Sequence, residues 1–321
     1  MDYNDRIYIA GHTGLIGTSL VNLLLKQGYN DLIYENHNNL NLLASDDVER
    51  FLNKSKPDVV LFAAGSVGGI EANIKFPATY IYENSLMQLN IIEQSMRANI
   101  NQLLLISSSC SYPANIQRPI REDDLLTAEP EKTNEAYAIS KILGVKICEA
   151  YNKQYPDRSL DYRCVISANA YGFNDKFNTT HNHVIPALIE KMHYSKVNDL
   201  KSVLVWGSGS PIRDFIFADD IASACIHIMG INRDRFFSTA KNNLVNIGSG
   251  KGIAISELVD NIKKIIGYKG DIDYDLSKPD GMPMKVLNTE LISELGWRPT
   301  ISLEEGIRLT YNNYLLINKN K

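Results

Sequence analysis

The chain has 321 residues, 44% hydrophobic and 22% charged, enough to bury a large core in one big domain with an added lobe or in two domains. A net charge of −4 offers no cationic footprint for nucleic acid or an anionic membrane, and no apolar run reaches the roughly 20 residues of a membrane span, so neither partner is expected. The start of the chain carries Asp2 and Asp5 and no secretory pattern, and Cys110, Cys148, Cys164 and Cys225 stand far apart, so a disulfide framework and a metal site are not expected and the cytoplasm is the default setting.

In chain order, Arg6-Ile7-Tyr8-Ile9-Ala10 reads as a buried strand that runs straight into Gly11-His12-Thr13-Gly14-Leu15-Ile16-Gly17. In a turn of this kind the first Gly permits the bend, the second lets the backbone approach a pyrophosphate, and the third lets the helix pack on the strand. The apolar face of Leu20, Val21, Leu23, Leu24 and Leu25 then predicts a helix over 18–27, ending at Gly28. Further strands are expected at 32–34, 58–64, 102–107 and 161–166, with helices near 45–54, 79–98 and 136–155. This alternation implies an α/β fold, a doubly wound parallel Rossmann sheet whose strand ends gather Gly11, Ala64, Ser108 and Ser167 on one rim. Beyond Tyr171 the pattern loosens into a polar loop (172–182), a helix over 184–193, the run Val203-Leu204-Val205-Trp206, a helix over 219–229, a strand at 244–247 and a helix over 255–266. Residues 1–171, with a return segment over about 214–250, are expected to form the dinucleotide-binding domain. A smaller mixed α/β substrate-binding lobe is expected from about 172–213 and 251–321.

Two runs suggest chemistry: Ser107-Ser108-Ser109-Cys110-Ser111-Tyr112-Pro113 and Tyr137-Ala138-Ile139-Ser140-Lys141. Tyr137 and Lys141 are four apart on a predicted helix and share one face, so the ammonium can lower the phenol's pKa while Ser108 holds the oxygen being protonated. Alone, such a pair is more often an ordinary amphipathic neighbour pair; the glycine turn at the other end of the chain changes the odds. Cys148, Cys164 and Cys225 read as small buried hydrophobes.

These motifs resemble the extended short-chain dehydrogenase/reductases that act on nucleotide sugars. Val67-Gly68-Gly69-Ile70, Ser108-Ser109-Cys110, Thr133-Asn134-Glu135, Asn182-His183-Val184-Ile185-Pro186 and Lys278-Pro279-Asp280-Gly281 narrow the resemblance to the GDP-L-fucose synthase family over nearly the whole chain. Dehydratases of the superfamily place Asp-Glu where this chain has Ser109 and Cys110, which argues against elimination chemistry. The resemblance implies that Cys110 and His183 move protons at C3 and C5 of a 4-keto sugar, where thiol and imidazole, with reference pKa values of roughly 8.5 and 6.5, bracket neutrality. It implies that Tyr137 protonates the C4 oxygen, that Ser108 hydrogen-bonds it, and that Lys141 holds the nicotinamide ribose. Cofactor contacts implied in the same way are Gly11, His12, Thr13, Gly14, Leu15, Ile16, Gly17, Ile106, Ser107, Ser108, Ser109, Lys141, Ser167, Ala168, Asn169, Ala170 and His183. Lys191, Trp206, Arg213 and Asp280 fall on its GDP-sugar positions. The plainer readings are Cys110 as core filler, His183 as a loop residue, Trp206 as a strand-end core residue and Arg213 paired with Asp214 on the surface.

The resemblance implies NADP(H), yet Tyr34-Glu35-Asn36-His37 contains no Arg or Lys, and Thr13 stands where the family commonly has a base. Glu35, about 20 residues past the turn, suits a ribose 2′-hydroxyl and leaves NAD(H) open. By the same resemblance, the expected activity is epimerisation at C3 and C5 followed by 4-keto reduction of GDP-4-keto-6-deoxy-D-mannose, in a homodimer by analogy. The alternatives are 4-reduction of another GDP-4-keto sugar, such as a colitose or heptose precursor, and an idle nucleotide-sugar binding protein.

Overall fold

The computed structural model describes residues 1–177, 183–240 and 242–319. Its first half alternates β1 (Ile7–Ala10), α1 (Leu15–Lys26), β2 (Leu32–Ile33), α2 (Ser45–Ser55), β3 (Val59–Phe62), α3 (Ile70–Lys75), α4 (Pro77–Arg97), β4 (Gln102–Ser108), α5 (Glu135–Gln154) and β5 (Asp161–Ser167). The second half is more mixed: β6 (Asn169–Tyr171), α6 (Val184–Val197), β7 (Ser202–Trp206), β8 (Ile212–Phe217), α7 (Ala218–Gly230), α8 (Arg233–Ala240) and β9 (Leu244–Ile247), then β10 (Gly252–Ala254), α9 (Ile255–Ile266), β11 (Asp271–Asp275), β12 (Met284–Lys285), α10 (Glu290–Glu294) and α11 (Leu303–Lys319).

Six strands form one parallel sheet in the order β2-β1-β3-β4-β5-β9, the doubly wound arrangement expected from the alternation. Every residue of β1, β3 and β9 is buried, as strands covered by helices on both faces require. The strand order reverses at β1, with β2 on one side and β3 on the other. The crevice where open sheets bind ligands therefore opens at the carboxyl end of β1, where the glycine turn begins. Within β5, Arg163 is buried, held by both oxygens of Asp161 at 2.6 Å and donating to the carbonyls of Ile228 in the last turn of α7 and Ile231 just after it. A buried guanidinium persists only when its donors are satisfied, so this residue clamps α7 against the sheet.

A second core gathers Ile189, Met192, Val205, Phe215, Phe217, Val259, Ile262, Ile307 and Tyr311 from α6, β7, β8, α9 and α11. Above it β8 pairs with β10 antiparallel and with β12 and β6 in parallel, while β7 pairs with β11. The sequence reading missed β6, β8, β10 and the short α3 and α8; β8 sets Arg213 and Asp214 side by side ahead of Phe215-Ile216-Phe217, which leaves an apolar run shorter than those of the large sheet. Asn182, singled out in the sequence, lies outside the described residues. Among the described residues, no helix is long and apolar enough to cross a membrane.

Candidate active site

Gly11 follows β1 with φ +83°, in the left-handed region that favours glycine, and a Cβ there would lie 2.7 Å from the backbone of Ala64 after β3. At Gly17 a Cβ would lie 2.0 Å from the Gly11 carbonyl, so the first turn of α1 rests directly on the glycine turn. Gly14 is the N-cap and contributes no side-chain cap, and no acid stands in the first turn. The amides of Leu15, Ile16 and Gly17 therefore point outward as unsatisfied donors at the positive end of a helix. Thr18 braces the loop by donating to the carbonyls of His12 and Gly14 at 3.0 and 2.9 Å, and the His12 ring stacks on Tyr34 at 4.8 Å. Thr13 completes this cradle without adding a charge.

On the same rim β4 and β5 end in register, with Ser108 opposite Ser167. Ile106, Ser107 and Ser109 are buried, and the Ser107 hydroxyl donates to the Lys141 carbonyl at 3.4 Å. Beyond Ser167, the Ala168 amide bonds to Ile247, and the Asn169 side chain donates to the Asp214 carbonyl at 2.7 Å just before Ala170. The chain then turns at Ser109–Ser111, where the Ser108 Oγ accepts the Cys110 amide at 3.3 Å. This turn aims Ser108 and Cys110 into the crevice together.

Helix α5 presents Tyr137 and Lys141 to that turn, and the Tyr137 phenol shares a hydrogen bond with the Ser108 hydroxyl. Burial pushes the phenol's pKa up, the neighbouring Cys110 adds to the rise, and the Ser108 hydrogen bond only offsets it. Lys141 is 3% exposed, its ammonium is 5.6 Å from the Tyr137 ring centroid, and burial pushes it down to about 8. The expectation that Lys141 depresses the Tyr137 pKa is thus not met: desolvation dominates both groups, keeping the phenol protonated and the amine close to titrating. Among the described residues, no hydrogen-bond acceptor meets the Lys141 Nζ.

An uncapped helix end, a turn held so tight that a Cβ at Gly11 or Gly17 would strike backbone, and a buried ammonium without an acceptor all fit a dinucleotide with phosphates on α1 and a ribose at Lys141.

Cys110 is half-buried, and its Sγ has two nitrogen neighbours at 3.6 Å, Asn134 Nδ2 and Lys285 Nζ. This is a polar environment, not that of core filler; Cys148, Cys164 and Cys225 are fully buried. His183 is the N-cap of α6, its side chain is 46% exposed, and its Nδ1 lies 3.9 Å from Asp175. Desolvation lowers its imidazole pKa, and the Lys285 and Lys176 cations push the same way, so the ring is neutral at pH 7. Asp175, nearly enclosed, is pushed up to about 7 by burial. Lys285 thus touches Cys110, and its charge is felt at His183.

The substrate-side residues lie along the next edge. Trp206 is 50% exposed at the end of β7, with the ammonium groups of Lys191 and Lys278 at 5.6 and 4.9 Å from its ring, so it is not a core residue. The Lys191 Nζ also donates to the Leu204 carbonyl. Arg213 does not pair with Asp214: Asp214 is fully buried and accepts from Ser249, Gly250 and Leu287, while Arg213 donates to the Asp280 carbonyl at 3.1 Å. Both carboxylate oxygens of Asp280 are taken by Ser208, at 2.7 and 2.8 Å, so Asp280 braces the turn after Trp206. Sequence reasoning did not single out Asn134, Asp175, Lys278 or Lys285. Asn134 and Lys278 stood inside quoted motifs, whereas Lys285 carries no local signal.

Residues 7–248 match the NAD dependent epimerase/dehydratase family. The GDP-L-fucose synthase of Sinorhizobium fredii is 42% identical over 310 residues, covering 97% of this chain and 95% of that protein. Among solved structures, a GDP-6-OMe-4-keto-L-xylo-heptose reductase from Campylobacter jejuni superposes with TM-score 0.91 at 32% identity, covering 99% of both chains. The GDP-mannoheptose C4 reductase MlghC from Campylobacter jejuni, with NADP bound, gives TM-score 0.88 at 33% identity over 98% of this chain and 99% of that one. The chain therefore belongs to the NAD dependent epimerase/dehydratase family, on the branch of the GDP-L-fucose synthases.

Proposed function

We propose that this protein epimerises C3 and C5 of GDP-4-keto-6-deoxy-D-mannose and reduces C4 to give GDP-L-fucose. The observation that carries the reading is the turn at Ser108–Cys110, which places a thiol two residues from the hydroxyl that hydrogen-bonds Tyr137. Proton exchange beside a ketone and protonation of that ketone's oxygen then occur around one carbonyl group.

The 4-keto group acidifies the hydrogens at C3 and C5, and Cys110 and the neutral His183 remove and return those protons, with Lys285 beside the thiol. Ser108 donates a hydrogen bond to the C4 oxygen as it gains negative charge, and Tyr137, held protonated by its burial, gives that oxygen its proton. A bound nicotinamide supplies the hydride to C4. Lys141 bonds the ribose and offsets the charge left on Tyr137. Arg213, Lys191 and Lys278 supply the cations a nucleoside diphosphate needs, beside the Trp206 ring, and Asp280 braces the turn that follows that ring.

NADP(H) is the cofactor favoured by kinship, since MlghC has NADP bound. The larger core serves the dinucleotide and the smaller one the GDP-sugar. Four free thiols suit a cytoplasmic setting, and the exposed Tyr82, Leu89 and Ile139 on α4 and α5 suit pairing of two copies. A second reading, 4-reduction of another GDP-4-keto sugar such as a heptose, is favoured by the two Campylobacter jejuni relatives.

The test is incubation with GDP-4-keto-6-deoxy-D-mannose and reduced cofactor in heavy water, with the product read by NMR. GDP-L-fucose carrying deuterium at C3 and C5 is expected. Reduced product without deuterium would leave a plain 4-reductase, and no cofactor consumption would move the activity to another sugar.

A further inference from the structure

The rim between β1 and β2 carries an assignment of its own, resting on the reading of the Gly11 turn as a dinucleotide site. Because β1 and β2 pair in parallel, with Tyr8 opposite Ile33, the residues after β2 rise over the same rim as the glycine turn. The stack of Tyr34 on His12 fixes that segment against the turn, and Glu35 follows directly. Glu35 is exposed, and its carboxylate receives one hydrogen bond, from Asn39 Nδ2 at 3.0 Å, leaving further acceptor positions for a sugar hydroxyl.

The charges around this rim are all of one sign. Residues 7–25 contain no Asp, Glu, Lys or Arg, and 27–49 contain Asp31, Glu35, Asp46, Asp47 and Glu49 with no Lys or Arg; His12 and His37 are the two groups in these segments able to take a positive charge. The cations flanking these segments stand elsewhere. Arg6 precedes β1 and bonds Asp31 and the Ser55 carbonyl, Lys26 ends α1 some 18 Å from the turn by helix rise, and Lys54 and Lys56 precede β3. Arg50 is paired with Asp47. A 2′-phosphate, with about two negative charges near neutrality, would meet the Glu35 carboxylate with no fixed cation supplied by these segments to receive it.

We infer that Glu35 holds the adenosine ribose through its 2′-hydroxyl and that this chain binds NAD(H) at least as tightly as NADP(H). Isothermal titration of the purified protein with NADH and with NADPH, at one ionic strength, for the native chain and for Glu35→Gln, tests this. The native chain is expected to bind NADH with a Kd no higher than that for NADPH. Glu35→Gln is expected to weaken NADH roughly tenfold, the scale of a lost charged hydrogen bond, while NADPH binding tightens. Tighter NADPH binding by the native chain, or an unchanged ratio in Glu35→Gln, overturns the assignment. Binding of neither cofactor would instead defeat the dinucleotide reading on which it rests. Since Glu35 is exposed, an unchanged melting temperature in the variant separates a cofactor effect from misfolding.

Discussion

Lys141 illustrates how a catalytic side chain is kept at the expense of stability. Its ammonium ordinarily titrates near 10.5 but near 8 in the fold, so burying it costs stability at every pH below about 8, a cost that fades as pH climbs toward 10.5. Lys141→Met should therefore stabilise the cofactor-free protein at pH 7 by about 3 kcal/mol, seen as a higher melting temperature, while abolishing cofactor binding. Tyr137→Phe should lower the rate of reduction by about 10²- to 10⁴-fold without affecting deuterium exchange at C3 and C5, because only reduction uses the phenol proton. His183 is neutral at pH 7, so exchange should fall as pH drops through a value below 6.5. Lys285→Met removes one of the cations that hold that value down, and the acid limb of the exchange profile should move to higher pH. Tyr137, Lys141, Ser108 and Cys110 were legible in the sequence because each pair lies within one short segment. Lys285 was not, because it is brought beside Cys110 from 175 residues away by a two-residue strand.

At the scale of elements, the large sheet could be read from runs such as Leu103-Leu104-Leu105-Ile106, whose shortness between polar flanks favours strands buried on both faces over helices. The small sheet could not, since β6, β8, β10 and β12 are short, partly exposed and paired across long sequence distances. Helices α4 and α5 pack closely because Gly144 leaves room for Gln88; a Cβ there would lie 2.1 Å from the Gln88 side-chain oxygen and 2.8 Å from Leu105. The Gln88 amide bonds the carbonyls of Asn84 and Ser140, so it cannot simply swing away. Gly144→Ala should lower stability by roughly 1–3 kcal/mol in denaturant unfolding and, by shifting α5, reduce turnover as well.

Across the whole molecule, Asp214 joins the two cores. From β8 it receives the amides of Ser249 and Gly250 beyond β9 and that of Leu287 beyond β12, and its own carbonyl receives Asn169 from β6. Asp214→Ala strands several buried donors and should weaken GDP-sugar binding through the neighbouring Arg213 more than cofactor binding, as parallel titrations with GDP and NADPH would show. The chain's two tryptophans fall on opposite sides of this division of labour: Trp206 half exposed between two lysines, Trp297 buried at 6% exposure in the larger core. The protein thus carries its own pair of optical reporters. Red-shifted, iodide-quenchable indole emission will follow the sugar-nucleotide edge, and the blue-shifted component will follow the integrity of the sheet, without any label being introduced.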